Sequence, residues 1–353
     1  MPGRGRRAQG ALAHTRTLIH ICAAPTAAAR RWCPLVATCS STAIRKRRLR
    51  ACAPRRCAPP LPPSPPCRTA TLTLPHAQAL QFQLSRLRDG LTPGSADLRA
   101  QRNATAGFVE TSAVLVTRGP YAPQLLSAWR AYEEDKGSQN QWPGDLPDGQ
   151  LFAVFVLADG GFDLEGFQLR DAQEAKAVLL QVAATLAVAE DSCQFEHRDL
   201  HWGNVLVNRT PGIPPAKHTL RGVQCTADTE GLSVIVIDFT LSRMQPSGGG
   251  AVLCCDLEAD PAIFEGPNGD TQFDTYRRMR KAVRRDWSVY APRTNALWLH
   301  YLADCMLEKK SWAGSKADKQ AMRAFRARCS KYASAQEAVL DELFVGMWNT
   351  GRG

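Results

Sequence analysis

The first 70 residues of this 353-residue chain contain no aspartate and no glutamate, although they hold 14 of its 44 Lys and Arg residues. The remainder carries 30 basic and 33 acidic groups, so the formal net charge of +11 arises in this first segment and the rest is mildly acidic. The segment is rich in Arg, Ala and Pro and has no apolar period, so it cannot bury a core. We therefore expect residues 1–70 to form a basic, disordered leader.

A cluster in this leader, Arg45–Arg50, has the composition of a nuclear-localisation or nucleic-acid-binding patch. Acid-free, Arg-rich leaders also resemble organellar transit peptides. A disordered or misassigned start without either role is the simplest interpretation of the composition.

Two further absences exclude classes of protein. No apolar run approaches the length that spans a bilayer, so we expect no transmembrane segment. None of the 12 cysteines stands in Cys-x-x-Cys spacing, which argues against a zinc site. The thiols are scattered and form no disulfide framework, which is typical of a reduced, intracellular protein.

Among the features that are present, the segment Phe195–Val207 carries the most specific pattern. It contains His-Arg-Asp, ending at Asp199, and an asparagine five residues later, Asn204, from which an apolar strand continues. This is the layout of a protein-kinase catalytic loop. Asp199 would accept the proton of an attacking hydroxyl, and Asn204 would ligate a magnesium ion on ATP.

A second motif follows a predicted buried strand, Leu232–Ile237, whose residues are apolar and mostly β-branched. The strand ends in Asp238-Phe239-Thr240, where a kinase carries its metal-binding Asp-Phe-Gly triplet. Thr240 replaces the glycine, and a β-branched residue avoids positive φ angles. We therefore do not expect an activation segment that flips at this position.

Each motif has a plainer explanation when it stands alone. An aspartate at the end of a strand is more often a cap or turn residue than a metal ligand, and His-Arg-Asp occurs by chance in many chains. Here the two motifs occur in the kinase order, with the asparagine correctly spaced in the first and a strand before the second. The combination favours the kinase interpretation.

Shorter blocks extend the pattern over about residues 106–310. They are Gly119-Pro120-Tyr121, Ala128-Trp129, Lys136-Gly137-Ser138, Gln150-Leu151-Phe152, Gly160 to Glu165, Leu186 to Glu190, Gln272 to Arg277 and Leu297 to Leu302. Together with Phe195–Val207 and Asp238–Arg243, these blocks resemble the haspin family, atypical Ser/Thr kinases that phosphorylate a histone tail.

The resemblance implies an α+β, protein-kinase-like fold of two lobes, with ATP and Mg²⁺ as cofactors. A small lobe lacking its N-terminal half would occupy residues 71–157, and a mostly helical large lobe would occupy residues 158–345. The expected partner is a basic histone tail in chromatin, which implies a nuclear, chromosome-associated monomer acting in mitosis. Neither membrane binding nor a direct nucleic-acid site is expected.

The resemblance also assigns roles to single residues. Asp199 and His201 would be catalytic, and Asn204 and Asp238 would hold the metal. The nucleotide would contact a hinge and both loop segments, which supply Ala158, Asp159, Gly160, Gly161, Asp163, Gly203, Asn204, Asp238, Phe239 and Thr240.

Three acidic residues, Asp163, Glu165 and Asp270, align with positions that receive the basic tail in the family. Carboxylates suit a cationic peptide, so the chemistry agrees with this assignment. Without the family, the same residues would be interpreted as solvated surface acids.

The front of the small lobe lacks the groups that usually hold the ATP phosphates. Residues 75–89 predict a helix at the place of the kinase αC helix, with Leu80, Leu84 and Leu87 on one side. It contains no glutamate, the only lysine before residue 136 is Lys46, and no Gly-x-Gly-x-x-Gly precedes it. Since phosphoryl transfer depends on positioning these phosphates, a catalytically inactive pseudokinase that binds a basic partner is the second interpretation.

A third interpretation is a small-molecule kinase of the aminoglycoside or choline type, because Asp-Leu-His-x-Gly-Asn also resembles the loop of those enzymes. His201 stands where ordinary protein kinases carry lysine, and this fits both families. The flanking blocks, such as Leu297 to Leu302, favour the haspin family.

The remaining pattern predicts strands at Ala113–Thr117 and Leu151–Val156, helices at Pro123–Lys136 and Asp171–Glu190, and a polar excursion at residues 208–230. The chain beyond residue 274 is expected to be mostly helical. A basic run there is interpreted as a solvated helix face, since no aromatic residues are interleaved with it. It comprises Arg277, Arg278, Arg280, Lys281, Arg284 and Arg285.

Overall fold

The computed structural model describes residues 17–23, 34–39, 74–91, 102–137, 142–246 and 249–351. These residues form a sheet-rich small lobe and a mostly helical large lobe. The architecture is the α+β, protein-kinase-like fold that the sequence predicted. Within the described ranges, no helix is both long and apolar enough to cross a membrane.

The small lobe is built on an antiparallel sheet of four strands. In spatial order these are β2 (Pro34–Cys39), β1 (Thr17–Ala23), β5 (Leu151–Ala158) and β4 (Thr111–Arg118). Two of these strands lie within residues 1–70, so the predicted absence of structure does not hold for them. β1 pairs with β5 along its whole length, and this satisfies backbone groups that a free edge of β5 would expose.

Two helices accompany this sheet, α1 (Leu74–Ser85) and α2 (Pro123–Lys136). α1 lies where the glutamate-free helix was predicted and continues as a 3-10 turn to Leu91. Its end is tied to β4, because Thr111 N donates to Ser85 Oγ at 2.9 Å and Gln81 Nε2 donates to Thr111 Oγ1 at 2.8 Å.

The large lobe is organised around α3 (Ala172–Cys193), whose residues are almost all buried. Asp171 caps the helix by accepting from Gln173 N and Glu174 N at 3.0 Å each, as its position in the sequence predicted. The segment that enters from the small lobe crosses α3 at Gly107, where an added Cβ would lie 1.8 Å from Thr185 Oγ1. Only glycine fits at this crossing.

A three-stranded antiparallel sheet leads into both sequence motifs. β7 (Val205–Arg209) lies between β6 (Phe162–Asp163) and β10 (Leu232–Val236). β7 begins directly after Asn204, and β10 ends two residues before Asp238. The pairing of β7 with β10 therefore brings these two side chains to the same end of the sheet.

The predicted polar excursion at residues 208–230 contains a hairpin of β8 (Ala216–Leu220) and β9 (Val223–Ala227). The hairpin is completed on its two sides by β3 (Ala104–Thr105) and β11 (Trp348–Thr350). β9 buries the alternate residues Cys225 and Ala227, and β8 buries His218 and Thr219, so a segment that is polar on average still contributes to the core beside α3.

The rest of the large lobe is helical, as predicted: α4 (Thr271–Ala282), α5 (Arg293–Glu308), α6 (Lys316–Cys329) and α7 (Ala335–Ala338). Trp287, Trp298 and Trp312 are buried within it and act as core anchors.

Candidate active site

The catalytic loop is tied to the end of β10 by its histidine. His197 Nε2 contacts Ile237 O at 2.9 Å, and His197 N donates to Asn295 Oδ1 on α5 at 3.0 Å. Burial lowers the pKa of His197 to about 4, so the ring is neutral at physiological pH. His197 therefore supports the loop and carries no charge into the site.

Asp199 is held at both its backbone and its side chain. Asn204 Nδ2 donates to Asp199 O at 2.8 Å, and the Tyr276 hydroxyl on α4 donates to Asp199 Oδ1. Burial raises the pKa of Asp199 to about 8, and the negative charge of Asp238 adds to the effect, while Tyr276 opposes it. The two sequence motifs thus place their carboxylates close enough to repel each other.

Asp238 has an unusual backbone conformation for a residue other than glycine, with φ of +60°. Thr240 stabilises it twice, since its backbone N donates to Asp238 Oδ1 at 3.1 Å and its hydroxyl donates to the same oxygen at 2.7 Å. The sequence indicated only that Thr240 departs from the kinase triplet. The structure shows what this departure provides, which is a hydroxyl that orients Asp238.

Asn204 and Asp238 form a donor set suited to magnesium. Because Asn204 Nδ2 is engaged with Asp199 O, its amide oxygen is the group that could ligate a cation. In the described part of the chain, no cluster of three or more His, Cys, Asp or Glu side chains could hold a metal by itself. Magnesium is usually held by one or two protein carboxylates together with substrate phosphates.

His201 serves the loop as a cap. Its Nδ1 accepts a hydrogen bond from Gly203 N at 3.1 Å. This bond caps the start of a 3-10 turn, Trp202–Asn204, whose last residue is Asn204. Burial lowers the pKa of His201, so the ring is a neutral acceptor. The geometry gives His201 a positioning role, and its predicted catalytic role stays a prediction.

The predicted hinge runs from Ala158, the last residue of β5, to Asp163 in β6. Gly161 has φ of +101°, and an added Cβ there would lie 2.5 Å from Val207 O. Asp159 Oδ1 accepts from Gly161 N at 2.9 Å and stabilises the turn. The hinge therefore packs on the strand that follows Asn204.

The three acidic residues predicted for substrate binding lie on two elements beside the catalytic loop. Asp163 and Glu165 are exposed at and after β6, and the negative charge of Glu165 acts on His201. Asp270 caps α4, the helix that carries Tyr276, by accepting from Gln272 N at 2.9 Å. Asp270 thus has a structural role in addition to its predicted one.

Two sets of supporting contacts were not predicted. Phe239, which the sequence analysis assigned to the nucleotide, is buried and packs edge-on against Phe108, Phe195 and His197, at ring distances of 5.7, 6.1 and 5.8 Å. Tyr276 lies 77 residues from Asp199 in the chain and donates to its carboxylate. Phe239 lies in the second motif and Tyr276 in the block Gln272 to Arg277, so the sequence pattern contained both residues but did not indicate which side chains they contact.

Comparison with known proteins agrees with the motifs. A family model described as "Haspin like kinase domain" matches residues 96–338. A serine/threonine-protein kinase haspin homolog from Arabidopsis thaliana is 40% identical over 268 residues, which are 76% of this chain and 43% of the relative.

Two animal relatives give the same result. The serine/threonine-protein kinase haspin from Mus musculus is 43% identical over 226 residues, 64% of this chain and 29% of the relative. The haspin homolog from Drosophila melanogaster is 37% identical over 219 residues, 60% of this chain and 37% of the relative. The chain therefore spans less than half the length of these relatives. Since the family model covers more than half of the chain and includes the whole of both motifs, this chain belongs to the haspin family of kinases.

Proposed function

We propose that this chain is a serine/threonine protein kinase that transfers the γ-phosphate of ATP to a hydroxyl in a basic peptide. A histone tail in the nucleus is the substrate that the family suggests. The observation that carries the proposal is the arrangement around Asp199, whose carboxylate is oriented by Tyr276 and whose backbone is tied to Asn204. Such an arrangement serves a reaction that depends on positioning more than on covalent chemistry.

Asp199 would act on the acceptor hydroxyl. Its Oδ1 accepts a hydrogen bond from the Tyr276 hydroxyl, so its second carboxylate oxygen, Oδ2, is the one that can accept the substrate proton. The proton would move from the Ser or Thr hydroxyl to that oxygen as the hydroxyl oxygen bonds to the γ-phosphorus, while the bond from this phosphorus to the β,γ-bridging oxygen breaks and ADP leaves. The bond of Asn204 to Asp199 O keeps the base and the metal ligand in one rigid unit.

Asn204 and Asp238 would hold magnesium, and the hinge from Ala158 to Gly161 would receive the nucleotide base. When bound, Mg²⁺–ATP supplies the transferable phosphoryl group and the positive charge that offsets the repulsion between Asp199 and Asp238. Thr240 keeps Asp238 oriented for this task.

Asp163, Glu165 and Asp270 would bind the basic peptide. Asp163 ends β6 and Glu165 lies on the loop that follows. Both are exposed, and the negative charge of Glu165 acts on His201. Carboxylates around a phosphate-transfer centre select cationic peptides mainly by steering and by charge-assisted hydrogen bonds. The family match favours such a peptide over the small-molecule acceptor of the third interpretation.

The test is a transfer assay with the full chain, ATP and Mg²⁺. Histone-tail peptides would be compared with peptides of the same sequence in which the Lys and Arg residues are replaced by Gln. Incorporation of phosphate into the basic peptides alone supports the proposal, and incorporation into neither set contradicts it.

The second candidate is a binding module without transfer. It is favoured by the absence from the sequence of the lysine and glutamate that usually position the ATP phosphates in the small lobe. The first glutamate is Glu110, and the only lysine before Lys136 is Lys46. In the same assay, a pseudokinase would bind the basic peptides and leave them unphosphorylated.

A further inference from the structure

The loop from Asp163 to Phe167 carries two of the three proposed substrate carboxylates. Two short-range hydrogen bonds close its turn, since Gly166 N donates to Asp163 Oδ1 at 2.7 Å and Phe167 N donates to Asp163 O at 2.9 Å. Its start is tied to β7, because Leu164 N donates to Val205 O at 2.8 Å. The loop is exposed except at Leu164 and Phe167, so its position depends on contacts from other elements.

One such contact comes from Lys310, two residues beyond the end of α5. Its Nζ donates to Glu165 O at 3.0 Å and to Phe167 O at 2.8 Å, across a sequence separation of about 145 residues. Partial burial lowers the pKa of Lys310, and the negative charges of Asp163 and Glu165 oppose that shift. The ammonium group therefore bridges the backbone of the loop on either side of Gly166.

A second cation holds the other end of the loop. Arg209 at the end of β7 donates to Gln168 O at 3.1 Å and lies over the Phe167 ring at 4.8 Å. Arg209 is itself fixed by an ion pair with the buried Glu174 at 2.8 Å. The loop is thus anchored at its start to β7 through Leu164 and at its far end to α3 through Arg209. Lys310 holds the segment between these two anchors, at Glu165 and Phe167.

Lys310 also contacts the catalytic loop. Its Nζ lies 5.4 Å from the ring centre of Trp202, the residue after His201. The neighbouring Lys309 lies 5.3 Å from the same ring, but among the described residues its ammonium group has no hydrogen-bond partner. The two adjacent lysines share the aromatic contact and differ in the contact with the acidic loop.

Resting on the proposed function, we propose that Lys310 is a positioning residue for the basic substrate, which fixes the loop of Asp163 and Glu165 against the catalytic loop at Trp202. The charge of Lys310 also weakens the negative potential of the two carboxylates. Loss of two charge-assisted hydrogen bonds outweighs loss of one partly screened charge, so removing the ammonium group should weaken substrate binding. The effect is expected mainly on the peptide, because both hydrogen bonds of Lys310 are to backbone beyond the hinge, at Glu165 and Phe167.

The adjacent lysines provide a matched pair of variants. Lys310→Met removes the two hydrogen bonds and keeps an unbranched apolar side chain. Lys309→Met makes the same chemical change at a residue that does not bond to the loop. Lys310→Arg keeps a charged hydrogen-bond donor. The dissociation constant of a fluorescently labelled histone-tail peptide would be measured by anisotropy with the full-length variants. The KM values for peptide and ATP, kcat and the thermal midpoint would be measured in parallel.

We expect Lys310→Met to raise both the dissociation constant and the KM of the peptide about tenfold, as expected when binding groups lose their orientation. The KM of ATP should stay unchanged, Lys309→Met should stay within about twofold of the parent, and Lys310→Arg should recover most of the loss. Faster amide exchange at Gly166 and Phe167 in Lys310→Met would separate loss of position from global unfolding.

Equal peptide affinities for Lys310→Met and Lys309→Met would overturn the positioning role and leave the proposed function standing. A lower dissociation constant for Lys310→Met would also overturn it, since the lysine would then act as a competing cation. A parent chain that binds no basic peptide would contradict the proposed substrate class and the role of Lys310 with it.

Discussion

Glu196 and Arg198 form an ion pair in which both side chains are fully buried. Arg198 Nε and Nη2 donate to the two carboxylate oxygens of Glu196 at 3.2 Å each. Thr294 Oγ1 adds a donation to the same carboxylate at 2.7 Å, and Arg243 Nε lies 3.9 Å from it. Arg198 has φ of +65°, a strained backbone conformation for a residue other than glycine. The ion pair stabilises this conformation directly before Asp199.

Replacing Glu196 by Gln should destabilise the fold strongly. The substitution leaves Arg198 and Arg243 buried without their counter-ion, and breaking a buried pair in this way costs about 3–5 kcal/mol. The free energy of unfolding from urea denaturation would measure the loss. Glu308→Gln is the matched control, since Glu308 pairs with Arg326 at 3.1 Å on the surface and such pairs contribute about 1 kcal/mol or less. Equal losses in the two variants would contradict the stabilising role of the buried pair.

Tyr276→Phe should reduce kcat about 10- to 100-fold, because a hydrogen bond to a charged group is worth about 1.5–3 kcal/mol. The ring stays packed on Trp298 at 5.3 Å, so the fold should persist. Steady-state phosphorylation of a basic peptide would measure the change. Tyr290→Phe is the control, since its hydroxyl donates to the backbone of Glu190 at 3.4 Å and not to the site. If the two variants lost activity to the same extent, the orienting role of Tyr276 would be wrong.

Thr240→Val should weaken magnesium-dependent nucleotide binding about tenfold, the size of effect typical of groups that orient metal ligands. Valine keeps the shape and the backbone donor but loses the hydroxyl bond to Asp238 Oδ1. Titration of a fluorescent ATP analogue at several Mg²⁺ concentrations would measure the change. Thr240→Ser should bind like the parent, and a serine variant as weak as the valine variant would exclude the hydroxyl as the cause.

His218 predicts a pH dependence of stability away from the active site. It is buried, its Nδ1 contacts Thr105 Oγ1 at 3.0 Å, and within the described structure its Nε2 has no partner. Burial lowers the pKa of His218 to about 4. Since the folded pKa lies below the unfolded value of about 6.5, the stability contribution is complete above pH 6.5 and is lost as the pH falls towards 4, by up to about 3 kcal/mol.

The matching experiment uses His218→Phe, which fills the site with an uncharged ring beside Trp348. Unfolding free energies of the variant and the parent would be compared between pH 7.5 and 5. The difference should shift in favour of the variant as the pH falls, because the other histidines titrate equally in both proteins. A difference independent of pH would show that His218 is protonated equally in the folded and unfolded states.

The proximity of Asp199, Asn204 and Asp238 was predictable because their motifs are short. Asp199 and Asn204 are five residues apart, and the strand before Asp238 marks its position, so local pattern alone brought the three into one site. The partners that orient them were not predictable, since Tyr276 meets Asp199 only through the packing of α4 on the catalytic loop. The same holds for Lys310, which reaches its loop from about 145 residues away.

Parts of the fold also escaped the sequence analysis for physical reasons. Composition over residues 1–70 predicted disorder, but the short apolar stretch Thr17–Ala23 pairs with the hinge strand β5. Average polarity over residues 208–230 concealed a hairpin, because only every second residue of β9 is apolar and the buried residues of β8 are His218 and Thr219. From the sequence, Thr240 indicated only that the activation segment does not flip at this position. Its hydroxyl bond to Asp238 Oδ1 could not be predicted, because it depends on the backbone conformation of Asp238.

The most direct test of the central claim is transfer of labelled γ-phosphate from ATP to a histone-tail peptide by the full chain and by its Asp199→Asn variant, in the presence and absence of Mg²⁺. We predict magnesium-dependent transfer by the parent, a loss of at least about a hundredfold in the variant, and equal peptide binding by both. Transfer at equal rates by the two proteins would contradict the assignment of Asp199. Peptide binding without transfer by the parent would contradict the kinase activity and leave a binding module.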